Sequence, residues 1–85
     1  MERFLNQAVV VDLEAPFVHV GTLSELNEHS LVLTDADVHD LRDSNTTRER
    51  YVLDSKLHGV RTNRRLVLIP RHQVVSISLL DDVIH

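Results

Sequence analysis

Val18–Ala36, VHVGTLSELNEHSLVLTDA, reads as a strand, a polar turn and a second strand. VHVGTL carries apolar and β-branched residues around His19 and Gly21. SELNEHS is polar except for Leu26 and suits a turn through Asn27, and LVLT resumes strand character. A glycine inside a strand weakens it and marks a sharp bend or a close backbone approach. A hairpin whose first strand bends at Gly21 is the natural centre of a small, strongly curved antiparallel barrel.

Outward from this hairpin the chain keeps the same character. In AVVVDLE, Ala8–Glu14, the positions Val9, Val11 and Leu13 alternate with Val10, Asp12 and Glu14, which predicts a first strand. A turn follows at Ala15–Pro16, because proline lacks a donor and pushes its predecessor out of the helical region. Phe17 opens the bent second strand and belongs to the core. Met1–Gln7 predicts a short N-terminal helix with Phe4 and Leu5 turned inward. Toward the C-terminus, Arg65–Pro70 (RLVLIP) is a strand stopped by proline, and RHQ is a tight connection. Val74–Leu80 (VVSISLL) is a last strand with Val75, Ile77 and Leu79 on one face and Ser76 and Ser78 on the other. The expected strands are therefore 8–14, 17–26, 30–36, 65–69 and 74–80. Five such strands describe an all-β, small five-stranded antiparallel barrel. It leaves two apolar edges, Leu66–Ile69 and Val74–Leu80, which pairing between copies would satisfy.

The segment between the third and fourth strands supports two readings. Asp37–Thr47 is polar and predicts a loop. Thr46 with Glu49 makes a capping box for a helix with Leu53, Leu57 and Val60 on one face and Gly59 as its stop. The competing reading is a long irregular hairpin in which Arg50–Leu53 continues the sheet.

The 85 residues read as one domain, 1–85, and a chain of this size buries only about 60–65% of its unfolded surface. Without cysteine there is neither a disulfide framework nor thiolate chemistry. No run is apolar enough for a signal peptide or a membrane span, so the expected compartment is cytoplasmic. The net charge of −4 is unevenly spread: residues 1–47 hold two Arg against nine Asp and Glu, whereas residues 48–72 hold six Arg and Lys56 against Glu49 and Asp54. Either these segments neutralise each other on the folded surface or between subunits, or the arginines form a local phosphate-binding face.

At this point the hairpin and the last two strands resemble the Sm-like (LSm) family, in its bacterial or archaeal form. Its first motif is similar to a G-x-L turn into a Gly-Phe-Asp-x-x-Met-Asn loop, then L-x-L and an acidic-alanine pair. Gly21-Thr22-Leu23 matches the opening, Leu26–Ser30 stands in a loop one residue shorter, and Leu31–Ala36 matches the following strand. The second motif, an apolar strand ending in Ile-Arg-Gly, is divergent here: Leu66–Ile69 matches, but Pro70-Arg71 occupies the Arg-Gly positions, and His72–Ile77 completes it. The resemblance covers residues 8–36 and 65–80, and the enlarged segment between becomes an insertion. It implies a short N-terminal helix, a bent five-stranded barrel and a homo-oligomeric ring of five to eight subunits that join fourth to fifth strands. It further implies a non-enzymatic protein binding single-stranded RNA at the inner rim, a ribonucleoprotein component without cofactor. By the same carry-over, Asn27 falls at the loop Asp, His29 near the stacking position, and Ser30 at the uracil-reading Asn. Arg71 and His72 supply the second loop.

Other chemistry has thinner support. Asp37, His39 and Asp40 form the densest carboxylate–imidazole cluster, but their spacing matches no standard metal motif, and a solvated loop explains them as well. There is no nucleophile elbow and no Gly-rich phosphate loop, so an enzyme is not expected. The alternative to RNA binding is a structural or protein-binding oligomeric platform. Tyr51, between Arg50 and Val52 and near Arg48, is the one aromatic in a basic setting and a candidate for a second contact carried by the insertion.

Overall fold

The computed structural model describes residues 1–14, 16–43 and 45–84. The turn read through Ala15–Pro16 rests partly on Ala15, outside the described residues. The strands are β1 (Ala8–Leu13), β2 (Phe17–Leu26), β3 (Ser30–Asp40), β4 (Arg64–Pro70) and β5 (Val74–Leu79), with one helix, α1 (Arg48–His58), between β3 and β4. They form one antiparallel sheet in the order β4-β3-β2-β1-β5, so β4 and β5 are its edges. At the N-terminus, Glu2–Phe4 makes a single 3₁₀ turn, and Phe4 and Leu5 pack on the inner core as expected.

The sheet bends where the sequence placed its glycine. Opposite Gly21, β3 carries an extra residue: Val20 pairs with Asp37 and Thr22 with Thr34, leaving Asp35 and Ala36 against one partner. Asp35 takes a left-handed backbone (φ 49°), and such a bulge sharpens local twist. A Cβ on Gly21 would stand 3.0 Å from both Cα and Cβ of Ala36, so only glycine lets the two strands approach this closely.

Inside the bend, Val9, Val11, Leu13, Leu23, Leu31, Leu33, Ala36 and Ile69 form the main core. The outer face carries a second, smaller core. Val10, Val18 and Val20 are covered there by Val52 of α1 and by Leu80, which begins the C-terminal 3₁₀ turn Leu80–Asp82.

Four expectations need correction. The loop read over Asp37–Thr47 begins only after Asp40: its first four residues are the end of β3, and a 3₁₀ turn, Leu41–Asp43, follows. The long β2 needs a partner along Phe17–Val20, and Val38 and its neighbours supply it. Asn63 continues this ladder with its side chain, its Oδ1 accepting from the Val38 N–H (2.9 Å) and its Nδ2 donating to the Val38 carbonyl (3.0 Å). The helix rather than the irregular hairpin forms, but its cap is Thr47, not Thr46: Thr47 Oγ1 accepts from the Arg50 N–H at 3.2 Å. Its buried side is Val52 and Ser55 with Tyr51 beside them, while Leu57 is exposed. Gly59 does stop the helix, at φ 93°. In β5 the pairing shifts between Asp12 and Leu13, so Val74 takes the inward place opposite Leu13 and Val75 is displaced to the surface. Ile77 and Leu79 face inward as read.

The charge asymmetry is partly neutralised within the fold. Arg48 of α1 pairs with Asp12 of β1 at 2.9 Å, and Ser76 Oγ donates to the other oxygen of that carboxylate at 3.0 Å. No helix is long and apolar enough to cross a membrane among the described residues.

Candidate nucleic-acid interface

The β2–β3 connection is organised by one side chain. Asn27 Oδ1 accepts from the backbone N–H of His29 (2.8 Å) and of Ser30 (2.9 Å), and the Asn27 N–H donates to the Ser30 carbonyl (3.0 Å). An asparagine oxygen bonding two and three residues ahead is the local geometry that makes this residue a turn former. With Oδ1 engaged, the Asn27 amide Nδ2 keeps both its donors. Ser30 is buried, and its hydroxyl lies 3.4 Å from Asn27 Oδ1, so it braces the turn from beneath. His29 and Glu28 are exposed.

The β4–β5 connection is a single 3₁₀ turn, Arg71–Gln73, entered from Pro70, which pairs with Ser30 as the last residue of β4. That turn brings Arg71 against the other loop. Its backbone N–H donates to the His29 carbonyl (2.8 Å), and Nη1 of its guanidinium donates to the Asn27 carbonyl (2.8 Å). Nη2 lies 3.6 Å from the sulfur of Met1, a neighbour that no spacing in the sequence could have indicated. The guanidinium has five N–H donors, so these contacts leave others free for a ligand. His72 is exposed on the same turn. Asn27, His29, Ser30 and Arg71 thus lie against one another, with His72 beside Arg71. Together they offer an imidazole face, unengaged amide donors and one cation.

Asp37, His39 and Asp40 do not converge. Asp37 and His39 share the outer side of β3, beneath α1, whereas Asp40 points the other way and binds Arg42 through paired contacts of 2.8 and 3.0 Å. Those hydrogen bonds hold the Asp40 carboxyl below the ordinary aspartate range. Among the described residues no group of three or more metal-ligating side chains is placed to hold an ion. Asp40 also accepts from the Arg42 backbone N–H at 2.9 Å, whereas Asp37 and His39 are engaged by the helix: the His39 ring stacks on Tyr51 (centroids 3.9 Å apart, planes 7° from parallel), and Tyr51 Oη donates to Asp37 Oδ2 at 2.7 Å. Burial, reinforced by the Asp37 carboxylate, pushes the Tyr51 phenol far above its ordinary pKa, so it stays a donor.

His19 behaves as a packed histidine. It is buried, meets the Phe17 ring edge-on at 6.4 Å, and has its pKa displaced downward by burial. Phe17 itself is half-buried against the inner core.

No family model matches the chain, and no curated protein matches it in sequence. Among solved structures it is similar to the Sm protein of Pyrococcus abyssii, solved in complex with a uridine heptamer. The match has a TM-score of 0.63 at 24% identity and covers 92% of this chain and 89% of that one. The strand order, the bend at Gly21 and the two clasped loops therefore belong to a chain with the Sm-like fold.

Proposed function

We propose that this protein is a non-catalytic, cytoplasmic, homomeric ring of five to eight subunits that binds single-stranded RNA at its inner rim. The observation that carries the reading is the Arg71 clasp: both candidate loops are fixed to each other at 2.8 Å, so a base meeting one meets the other. His29 is the stacking surface, the Asn27 Nδ2 group donates to a base edge, and the remaining donors of Arg71 and the His72 imidazole face phosphate. Ser30, buried beneath Asn27, positions that amide rather than reading the base. Unstacked bases are recognised by this combination of flat faces and edge hydrogen bonds. The uridine heptamer held by the Pyrococcus abyssii Sm protein supports the same class of ligand.

The ring follows from the edges. β4 and β5 lack outer partners among the described residues, and Leu66 and Leu68, each 60% exposed, with Val75 at 65%, make these edges apolar. Pairing β4 of one subunit with β5 of the next removes both liabilities, and head-to-tail contacts of that kind close into rings. Light scattering should give several times the 9.7 kDa monomer mass. Leu68→Asp should lower it without touching the monomer core, unlike a change at the inward-facing Ile77.

The test of function is fluorescence anisotropy with short oligo-U, oligo-A and matched DNA, on wild type and Arg71→Ala. Each subunit adds one weak contact, so affinity comes from multiplicity and falls with salt. A Kd above about 1 mM for every oligomer at low salt, or one unmoved by R71A, overturns the reading. The oligomeric platform without nucleic acid would then be the better account.

A further inference from the structure

The insertion builds a second recess, at the far end of β3 from the clasped loops. It is a cleft of about 500 Å³ between the end of β3, one side of α1 and the α1–β4 connection. That volume lies within the range of small-molecule sites. One wall is formed by the stacked rings of His39 and Tyr51, already fixed by the Tyr51–Asp37 bond. Around it stand Arg50, Arg61 and His58. Arg50 is loosely paired with Asp54 at 3.4 Å and remains largely in solvent, while Asp54 is half-buried. Arg61 is exposed and has no hydrogen-bond or ion-pair partner among the described residues, and neither has the His58 ring. The Nε2 atom of His39 is buried and also without a partner among the described residues, which is uncommon for a polar atom and costly unless something meets it.

The carboxylates in the cleft do not oppose an anion as much as their number suggests. Asp37 is held by the Tyr51 O–H and by Asn63 Nδ2 (3.1 Å), and Asp54 meets Arg50 only at Nε, which leaves the terminal Nη donors of Arg50 for a ligand. Two guanidiniums and an imidazole beside a pair of aromatic rings suit a ligand with one planar ring and one phosphate. Arg recognises phosphate through its planar fork of donors, and nucleobases favour aromatic faces. We propose that this cleft binds one nucleoside monophosphate unit, either a free nucleotide or a residue of a single strand. The base lies toward His39 and Tyr51, and the phosphate lies on Arg61 and Arg50. The site is separate from the Arg71 clasp, and each stands if the other fails.

The chain suits a direct test, because Tyr51 is its one tyrosine and there is no tryptophan, so intrinsic emission reports on this cleft alone. UMP, AMP, uridine and ribose 5-phosphate are titrated by calorimetry with Tyr51 emission followed in parallel. Both nucleotides should bind and alter the emission, and uridine and ribose 5-phosphate should each bind at least about ten-fold more weakly. Arg61→Ala, an exposed change that leaves the core intact, should weaken UMP at least about five-fold, as should Arg50→Ala, while Arg71→Ala leaves it within about two-fold. In the R71A background, a 5′-phosphorylated oligouridylate that binds much more tightly than UMP identifies a strand as the source of the unit, and equal affinity identifies the free nucleotide. Absence of heat and of any emission change up to about 10 mM UMP overturns the proposal. So does ribose 5-phosphate binding as well as UMP, or R61A leaving UMP affinity unchanged.

Discussion

The two faces of this sheet are stabilised in different ways. On the inside of the bend, leucines and valines from β1, β2, β3 and β4 meet one another, and Leu23, Leu31 and Leu33 are fully buried. On the outside, Val10, Val18 and Val20 are closed over by residues from an insertion and from the C-terminal turn. The lid is held as much by polar contacts as by apolar ones: Arg48 to Asp12, Tyr51 to Asp37, and Lys56 to the Asp81 and Val83 carbonyls. The inner core is the barrel, and it brings the two loops together at one end of β3. The outer core is an addition that fastens a helix to the barrel and, in doing so, creates a cleft.

Removing one side chain from each face should separate these contributions. Leu33→Ala leaves a cavity among side chains that cannot close in, and it should destabilise by about 2–5 kcal/mol, a large share of what an 85-residue domain has. Val52→Ala removes two methyl groups from a helix that can settle, and at about 0.8 kcal/mol per group should cost about 1–2 kcal/mol. Urea unfolding of both variants at equal protein concentration checks the ratio. Equal losses would mean that the helix lid and the barrel unfold as one equally packed unit.

The inner face was legible because its code is local. Alternation in β1, the glycine at 21 and the proline at 70 each act within a few residues, and together they bounded four of the five strands to within a residue or two. The clasp between the 27–30 and 71–73 loops was anticipated through the family resemblance, and the structure adds the bonds that form it. The outer face was less legible for a physical reason. Val60 packs on the outer core as read, but whether Leu53 and Leu57 or Tyr51, Val52 and Ser55 turn inward depends on where the helix meets the sheet, and a mean helix preference says nothing of that. Asp37 and His39 looked like loop residues because they are polar. They are strand residues, and the partners of Asp37, Tyr51 and Asn63, lie 14 and 26 positions away in sequence. A displaced residue such as Val75 is equally hidden, since a bulge shifts the alternation without changing composition.

Two histidines give the comparison a pH axis. His39 lies on the outer face against Tyr51, whereas His19 is buried on the inner side of β2, opposite Val11 and Val38, with Nδ1 unpartnered among the described residues. Burial lowers the His19 pKa, and the nearby Asp37 only partly restores it. In the unfolded chain histidine titrates near about 6.5. Below that pH the unfolded state binds a proton that the folded state resists. The contribution of His19 is therefore present above about pH 6.5 and is lost as pH falls toward the lowered folded value, at up to about 1.4 kcal/mol per pH unit for one proton. His19→Leu should be nearly neutral at pH 7, because an unpaired buried acceptor is replaced by an apolar group. It should also flatten the fall in stability between pH 7 and 5. Denaturant titrations at both pH values decide it: a variant with the wild-type slope would show that His19 is not the group responsible.

The smallest expected effect concerns the bond that joins helix to sheet. Tyr51→Phe keeps the ring, and so keeps the stack on His39, but removes the hydroxyl that donates to Asp37 at 2.7 Å. Asp37 retains its contact with Asn63 through the other oxygen at 3.1 Å, so the carboxylate is not left bare. It is half-buried and solvent can reach it, which places the cost near about 1 kcal/mol rather than the 1–3 kcal/mol of a stranded buried group. Asp37→Asn provides the control, because an amide still accepts from a phenol but carries no charge. If the bond draws its strength from that charge, Tyr51→Phe should cost less in the D37N background than in wild type, with a coupling of at least about 0.5 kcal/mol. No difference between the two backgrounds would mean that the stacked ring and Val52, not the Tyr51–Asp37 bond, hold α1 to the outer face.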